Sequence, residues 1–135
     1  MRITADTNVL VRAATGDDPE QAEGARSAMA TAEIVAVTLP ALCEFCWVLK
    51  AAYGFTPHQL AVSLRLLADS ENVAIDRDAV EAGLAMLEAG GDFADGVIAY
   101  EGRWLGGETF VTFDKRAAQI ITNQDGSVHL LTAAS

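Results

Sequence analysis

Five acidic residues carry a spacing that could support chemistry. Asp6 follows the short stretch "RITA", and Asp114 follows "TFVTF". Asp92 and Asp95 lie three positions apart in "GGDFADGVIAY", so on a helix they share one face of the first turn. Glu44 stands among apolar neighbours in "ALCEFCW". If these acids meet, a cation, protonation or nearby Lys and Arg must neutralise them, because a like-charge pair about 4 Å apart costs about 4 kcal/mol at an effective dielectric constant of about 20.

Strand and helix patterns alternate along the chain around these acids. Strands are predicted in "RITAD", "EIVAVT", "NVAID" and "TFVTFD" and near residues 127–131. Helices are predicted after Asp6, over about residues 20–31, in "LPALCEFCWVLKAAYGF", after Thr56-Pro57, from Asp78 to Gly90, and over about 93–105 and 115–121. This alternation predicts a three-layer α/β/α fold with a central, mainly parallel sheet of about five short strands, in one domain over residues 1–135.

The predicted fold gives the acids a common location. In open parallel sheets the functional crevice lies beyond the carboxyl ends of the strands. Asp6 and Asp114 end the first and fourth strands, and Glu44 lies near the start of the helix after the second. Each acid alone is more often a helix cap or a helix-dipole partner than a ligand. Taken together, they predict a cation site, and oxygen ligands without His or Cys suit Mg²⁺ or Mn²⁺ rather than zinc.

Composition limits the classes of protein that this sequence can represent. The 135 residues carry 9 Lys and Arg against 19 Asp and Glu, a net charge of −10. Such a chain does not favour non-specific binding of nucleic acid, which needs basic residues to neutralise phosphates. Carboxylates that hold divalent cations can nevertheless act on a phosphate backbone, because the cation reverses the local sign of charge.

Targeting and redox features give little functional signal. There is no basic segment followed by an apolar stretch after Met1, so we expect no secretory signal and a cytoplasmic protein. No uncharged apolar run approaches the roughly 18–20 residues that span a bilayer, so no membrane partner is expected. Cys46 falls on the apolar face of its predicted helix near Cys43, which favours packing over redox chemistry. His58 and His129 show no zinc-ligand spacing.

Four segments together resemble the PIN-domain family, most closely the VapC toxins of type II (VapBC) toxin–antitoxin pairs. They are "ADTNVLVRAATGDDP", the embedded Glu44, "DFADGVIAY" and "VTFD", and the resemblance covers essentially the whole chain in order. It implies a Mg²⁺- or Mn²⁺-dependent endoribonuclease that hydrolyses RNA phosphodiester bonds through a metal-activated water. It also implies a homodimer and a cognate VapB-like antitoxin that keeps the enzyme silent.

The resemblance assigns roles to individual residues of this sequence. The catalytic acids that it implies are Asp6, Glu44, Asp95 and Asp114. The metal ligands that it implies are Asp6, Asp95 and Asp114, with Asp92 as an auxiliary ligand. The polar residues that it implies for orienting water or ligands are Thr7, Asn8 and Thr112. Gly96 and Gly102 depart from the family pattern, where alanine is more usual, and predict a looser helix around the third acid.

Basic residues are few, so their positions are informative. Arg12 lies one helical turn after Asn8, Lys115 and Arg116 follow Asp114 directly, and Arg103 lies about two turns after Asp95 in the sequence. These four side chains either position RNA phosphates at the rim of the site or form local salt bridges.

Two other readings remain open from the residues. A receiver-like phospho-acceptor domain also places acids and Mg²⁺ at a sheet edge, but it needs paired acids after the first strand, and Asp76 is its only candidate acceptor. A PIN fold could also serve as an inactive binding scaffold, although all four acids are present.

The apolar helices around Phe45, Trp47 and Tyr53 are expected to offer a groove in which an inhibitory peptide lays its apolar side chains.

Overall fold

The computed structural model describes residues 1–132 and divides the chain into two compact units. The N-terminal unit is Met1–Arg77 and the C-terminal unit is Asp78–Ser135. The domain predicted over residues 1–135 includes residues 133–135, which lie outside the described residues. Within residues 1–132, no helix combines the length and the apolar character needed to cross a membrane.

The N-terminal unit contains three strands and four helices. In chain order they are β1 (Arg2–Thr4), α1 (Thr7–Thr15), α2 (Pro19–Thr31), β2 (Ile34–Ala36), α3 (Leu39–Tyr53), α4 (Pro57–Ala68) and β3 (Val73–Ala74). The strands form a parallel sheet in the order β1-β2-β3, with Arg2 opposite Ile34 and Val35 opposite Val73.

Side-chain caps explain where three of these helices begin. Asp18 accepts a hydrogen bond from the backbone N–H of Gln21 at 3.1 Å, and Thr38 and Thr56 cap α3 and α4 in the same way. Each cap precedes a proline in the first turn, where the missing N–H costs nothing. The helix starts predicted at Asp18-Pro19 and Thr56-Pro57 are therefore confirmed.

Leucines from three helices form the core of the N-terminal unit. The fully or almost fully buried members are Leu10, Leu42, Leu49, Leu60 and Leu64. Cys46 is buried with them, and burial raises the pKa of its thiol to about 12, which agrees with the packing role predicted for it. Of the residues around which the peptide groove is expected, Phe45 is only 2% exposed whereas Trp47 is 69% exposed.

The C-terminal unit contains the remaining three helices and two strands. They are α5 (Arg77–Glu88, of which Arg77 belongs to the N-terminal unit), α6 (Phe93–Trp104), β4 (Phe110–Thr112), α7 (Lys115–Asn123) and β5 (Val128–Leu130). β4 and β5 pair in parallel, with Phe110 opposite Val128. Met86 from α5 packs with Ile120 and Ile121 from α7, and Phe110 and Val128 cover this cluster.

The α/β class predicted from the sequence is confirmed. All five predicted strands are present within residues 1–132, and every pairing among them is parallel. The strands are short, two or three residues each, and they are hydrogen-bonded as a three-stranded sheet and a two-stranded sheet rather than as one five-stranded ladder.

Leu49→Ala is expected to lower the free energy of unfolding by about 2–5 kcal/mol, because the lost side chain leaves a cavity in the core. Leu49 is 0% exposed in α3, whereas Leu66 in α4 is 70% exposed. Leu66→Ala is therefore the matched control, with an expected change within about 0.5 kcal/mol. Urea unfolding followed by circular dichroism measures both variants, and equal losses would contradict this core.

Candidate functional site

Two acidic residues of the C-terminal unit act on a third, Asp95. Asp95 lies half-buried in the first turn of α6. Burial raises the pKa of its carboxyl above the ordinary value of 3.8, and the negative charges of Asp92 and Asp114 raise this pKa further. Asp92 and Asp114 therefore both lie near Asp95. The structure brings together these three of the five predicted acids within one unit.

Asp114 is held by the helix that it starts. It follows β4 and caps α7, and its Oδ1 accepts hydrogen bonds from the backbone N–H groups of Arg116 at 2.8 Å and Ala117 at 3.1 Å. The hydroxyl oxygen of Thr112 accepts a hydrogen bond from the backbone N–H of Asp114 at 3.0 Å. Thr112 thus fixes the turn that carries Asp114. The role in orienting ligands or water that the resemblance implies for Thr112 stays a prediction.

The start of α6 positions the other two acids of this unit. Asp92 occupies the N-cap position, and its backbone carbonyl accepts hydrogen bonds from the N–H groups of Asp95 at 3.1 Å and Gly96 at 3.4 Å. These bonds close the first turn of the helix. Because Asp92 and Asp95 are three residues apart, the turn places both on one side of the helix.

The N-terminal unit carries the remaining two predicted acids. Asp6 follows β1 and caps α1, where its Oδ1 accepts a hydrogen bond from the N–H of Val9 at 3.0 Å. The hydroxyl of Thr7 donates to Oε1 of Glu44 at 3.4 Å, across 37 residues of sequence. Glu44 and Asn8 are both exposed. The start of α1 thus lies beside Glu44 of α3, so Asp6, Thr7 and Glu44 share one end of this unit.

The acids of the C-terminal unit do not form a ready-made metal cage. Within residues 1–132, no group of three or more His, Cys, Asp or Glu side chains could hold a metal ion. Mg²⁺ keeps several of its waters and needs only one or two protein carboxylates together with substrate phosphates. An open set of oxygen donors therefore fits Mg²⁺ or Mn²⁺ better than the closed four-ligand geometry of structural zinc. A cation would also relieve the repulsion on Asp95.

The guanidinium of Arg12 is engaged inside the N-terminal unit. Its Nη1 donates to Asp17 at 2.9 Å and to the Tyr53 hydroxyl at 3.2 Å, and its Nε donates to Gln21 at 2.7 Å. The Tyr53 hydroxyl donates to Asp17 at 2.7 Å, and this bond is the main cause that lowers the pKa of Asp17. The network joins α1 to α3 and competes with the phosphate contact predicted for Arg12. The sequence allowed a local salt bridge for Arg12, but the spacing of residues did not identify these partners.

Arg116 and Lys115 lie directly beside the acids of the C-terminal unit. Lys115 is exposed in the first turn of α7, which Asp114 caps. The guanidinium of Arg116 packs against Gly90, two residues before Asp92; a Cβ on Gly90 would lie 3.0 Å from its Nη2. Arg116 thus lies near the segment that leads into α6, and Lys115 adjoins Asp114 in the chain; their contact with RNA phosphates stays a prediction.

Arg103 lies apart from the acidic cluster. It occupies the last turn of α6, with its guanidinium carbon 5.9 Å from the centre of the Tyr100 ring. Eight residues of helix separate it from Asp95, which is about 12 Å along the axis. The structure thus gives Arg103 a contact with an aromatic ring at the far end of the helix.

Comparison with known proteins identifies the class of this chain. A family model of the PIN domain matches residues 3–121, from β1 into α7. The chain therefore belongs to the PIN-domain family, and this match sets aside the receiver-like alternative. Among solved structures, the chain is similar to the VapC20 toxin of Mycobacterium tuberculosis, described as a sarcin-ricin loop cleaving toxin. The identity is 18%, the TM-score is 0.44, and the similarity covers 79% of this chain and 85% of that chain. No curated protein matches the chain.

Asp95→Asn is expected to raise the melting temperature of the metal-free protein near neutral pH. Folding raises the pKa of Asp95, so the ionised carboxylate destabilises the folded state above that raised pKa. This cost disappears as the pH falls towards 3.8, because the folded state then holds the proton. The advantage of the variant should therefore shrink with acidification, as measured by scanning calorimetry in EDTA.

Asp78→Asn is the matched control for this effect. Asp78 is exposed in the first turn of α5, where its charge favours the helix dipole. Its substitution should leave the melting temperature unchanged or slightly lower. An Asp95→Asn protein no more stable than Asp78→Asn would show that Asp95 experiences no repulsion.

Proposed function

We propose that this chain is a Mg²⁺- or Mn²⁺-dependent endoribonuclease, the toxin of a toxin–antitoxin pair. Membership of the PIN-domain family supports a nuclease, and the resemblance of the four acidic positions to VapC toxins supports RNA as the substrate. The observation that carries the proposal is the half-buried Asp95, whose pKa is raised beside Asp92 and Asp114. Such a group is typical of functional sites, because folding retains it at a cost in stability.

The residues of this chain have distinct roles in the proposed reaction. Asp95 and Asp114 would hold the cation, with Asp92 as an auxiliary group. For Asp6 and Glu44, catalytic roles are proposed from the family resemblance alone. Thr112 keeps the turn of Asp114 in place, and the Thr7 hydroxyl orients Glu44 through its hydrogen bond. A bound Mg²⁺ or Mn²⁺ supplies positive charge that activates water and stabilises the charged phosphate oxygens.

Electrostatics shape how RNA binds to this acidic chain. With a net charge of −10, the protein as a whole repels a polyanion. We therefore propose that RNA binding depends on the cation and on a few basic residues beside the acids. Lys115 and Arg116 are the best placed, because they begin the helix that Asp114 caps. Phosphate contacts of this kind position the substrate without reading its sequence.

The N-terminal unit offers a groove for an inhibitory partner. A cavity of about 290 Å³ lies among α1, α2, α3 and α4, with the buried Leu10 and Phe45 in its lining and the exposed Leu66 among its residues. We propose that a VapB-like antitoxin lays the apolar face of a helix in this groove. Pairing of the toxin as a homodimer is proposed from the family resemblance alone.

Asp6→Asn and Asp95→Asn are each expected to reduce RNA cleavage at least about 100-fold, the scale seen when a group that stabilises transition-state charge is removed. Glu20→Gln and Asp78→Asn are matched controls, because both residues are exposed acids in the first turn of a helix. The assay incubates purified, antitoxin-free protein with mixed structured RNAs in Mg²⁺, in Mn²⁺ and in EDTA, and maps the cut ends.

Metal-dependent cleavage that survives in both Asp variants, after contaminating nuclease is excluded, would remove this catalytic assignment. A wild-type protein that cuts none of the RNAs but still binds its antitoxin would favour the inactive scaffold instead.

Leu66→Asp is expected to weaken the complex with the antitoxin, because a charge placed in an apolar groove must be desolvated on binding. Leu105→Asp is the matched control, since Leu105 is 89% exposed in the C-terminal unit and lies outside the groove. Co-expression with the adjacent reading frame, followed by size-exclusion chromatography and growth assays, measures binding and relief of toxicity. No complex and no relief with the wild-type chain would remove the toxin–antitoxin proposal and leave the nuclease proposal standing.

A further inference from the structure

Helix α6 packs directly on the backbone of α5 at Gly96. A Cβ built on Gly96 would overlap the carbonyl oxygen of Ala82 and would lie 2.8 Å from Cα of Gly83 and 2.9 Å from Cβ of Met86. None of these atoms is the far end of a flexible side chain, so none can rotate away. Any residue larger than glycine at position 96 therefore forces the two helices apart.

A second glycine makes the reciprocal contact. Gly83 of α5 lies under the ring of Phe93, the first residue of α6, and a Cβ on Gly83 would lie 2.5 Å from a ring carbon. Phe93 is buried. The first turn of α6 thus contacts α5 at two points. The Phe93 ring packs on Gly83, and Gly96 packs on the backbone of α5.

Asp95 lies between these two contacts, in the same turn of α6. The segment before α6 also packs closely: a Cβ on Gly91 would lie 2.7 Å from Sδ of Met86 and 2.9 Å from Cδ1 of Ile120. Ile120 belongs to α7, the helix that Asp114 caps. The helices that carry Asp95 and Asp114 are therefore held against the same α5 side chain, Met86.

Helix α6 contains a second glycine, Gly102, whose surroundings differ from those of Gly96. A Cβ on Gly102 would meet no atom within 4 Å among the described residues, so alanine fits there. Glycine inside a helix costs about 0.5–1 kcal/mol relative to alanine. The sequence predicts that both glycines loosen α6. At Gly96 the close packing on α5 leaves no room for a larger residue.

We propose that Gly96 is a positioning residue for Asp95: the close approach that it permits between α5 and α6 holds the Asp95 carboxyl beside Asp92 and Asp114. This inference rests on the proposed function and deepens it, since it states how the third acid of the site is placed. Gly96 touches neither substrate nor metal, and it acts through the position of α6.

A double-mutant cycle in metal-free protein tests this placement. Asp95→Asn is introduced into three backgrounds, wild type, Gly96→Ala and Gly102→Ala, and the melting temperature of each pair is compared in EDTA. Gly96→Ala moves Asp95 away from its neighbours, so the gain from Asp95→Asn should fall by at least half in that background. Gly102→Ala should keep the full gain. A purely structural glycine would change stability without changing this gain.

The affinity for Mn²⁺ gives a second measurement. Gly96→Ala should raise the dissociation constant about tenfold or more, as changes to the residues that support metal ligands do, whereas Gly102→Ala should not. If Gly96→Ala does not fold, Phe93→Leu replaces it in both experiments, because it removes the ring that rests on Gly83.

The two measurements separate the two proposals. An undiminished gain from Asp95→Asn in the Gly96→Ala or Phe93→Leu background would overturn the positioning role. A wild-type protein that binds no Mn²⁺ would overturn the metal dependence of the proposed function, while a diminished gain in the metal-free cycle would still support the role of Gly96.

Discussion

The main constraint on the candidate site is that a half-buried carboxyl, Asp95, lies near two other acids of the C-terminal unit. Asp95 loses part of its hydration and faces the charges of Asp92 and Asp114, and all of these effects oppose its ionisation. A fold that needed only stability would replace it with a neutral side chain. Here the acid is kept, on a helix that packs closely against α5 at Gly96, and Asp114 is fixed at the start of α7 by its capping hydrogen bonds.

This arrangement explains how an acidic chain could act on RNA. Carboxylates placed against one another attract a divalent cation, and the cation presents positive charge to a phosphate. The basic residues next to Asp114 would add to that charge locally, while the net charge of the whole chain is −10. Binding would then depend mainly on the site, because the net charge disfavours RNA elsewhere.

Local signals in the sequence predicted the secondary structure well. Aspartate or threonine followed by proline marks where α2 and α4 begin, because the cap and the proline act within a single turn. Asp6 and Asp114 were recognisable because each comes two residues after a strand, at the start of a helix. Each carboxylate caps that helix through a hydrogen bond.

Properties that depend on tertiary packing could not be predicted in this way. Gly96 and Gly102 look alike in the sequence, but only the contact of α6 with the α5 backbone distinguishes them. The sequence left open whether Arg12 positions phosphate or forms a local salt bridge, because its partners Asp17 and Tyr53 come together only when α1 packs against α3. The half-buried state of Asp95 likewise follows from helix packing, whereas the helical spacing fixes only which side of α6 it shares with Asp92.

Proton release on metal binding tests the central claim most directly. A cation needs the ionised form of Asp95, so its binding must expel any proton that the raised pKa retains. Isothermal titration of Mn²⁺ in buffers of different ionisation enthalpy counts these protons. We predict release that grows as the solution is made mildly acidic and that is absent from Asp95→Asn. Mn²⁺ binding with no proton release at any pH, or with the same release from Asp95→Asn, would contradict the claim that a cation relieves the repulsion at Asp95.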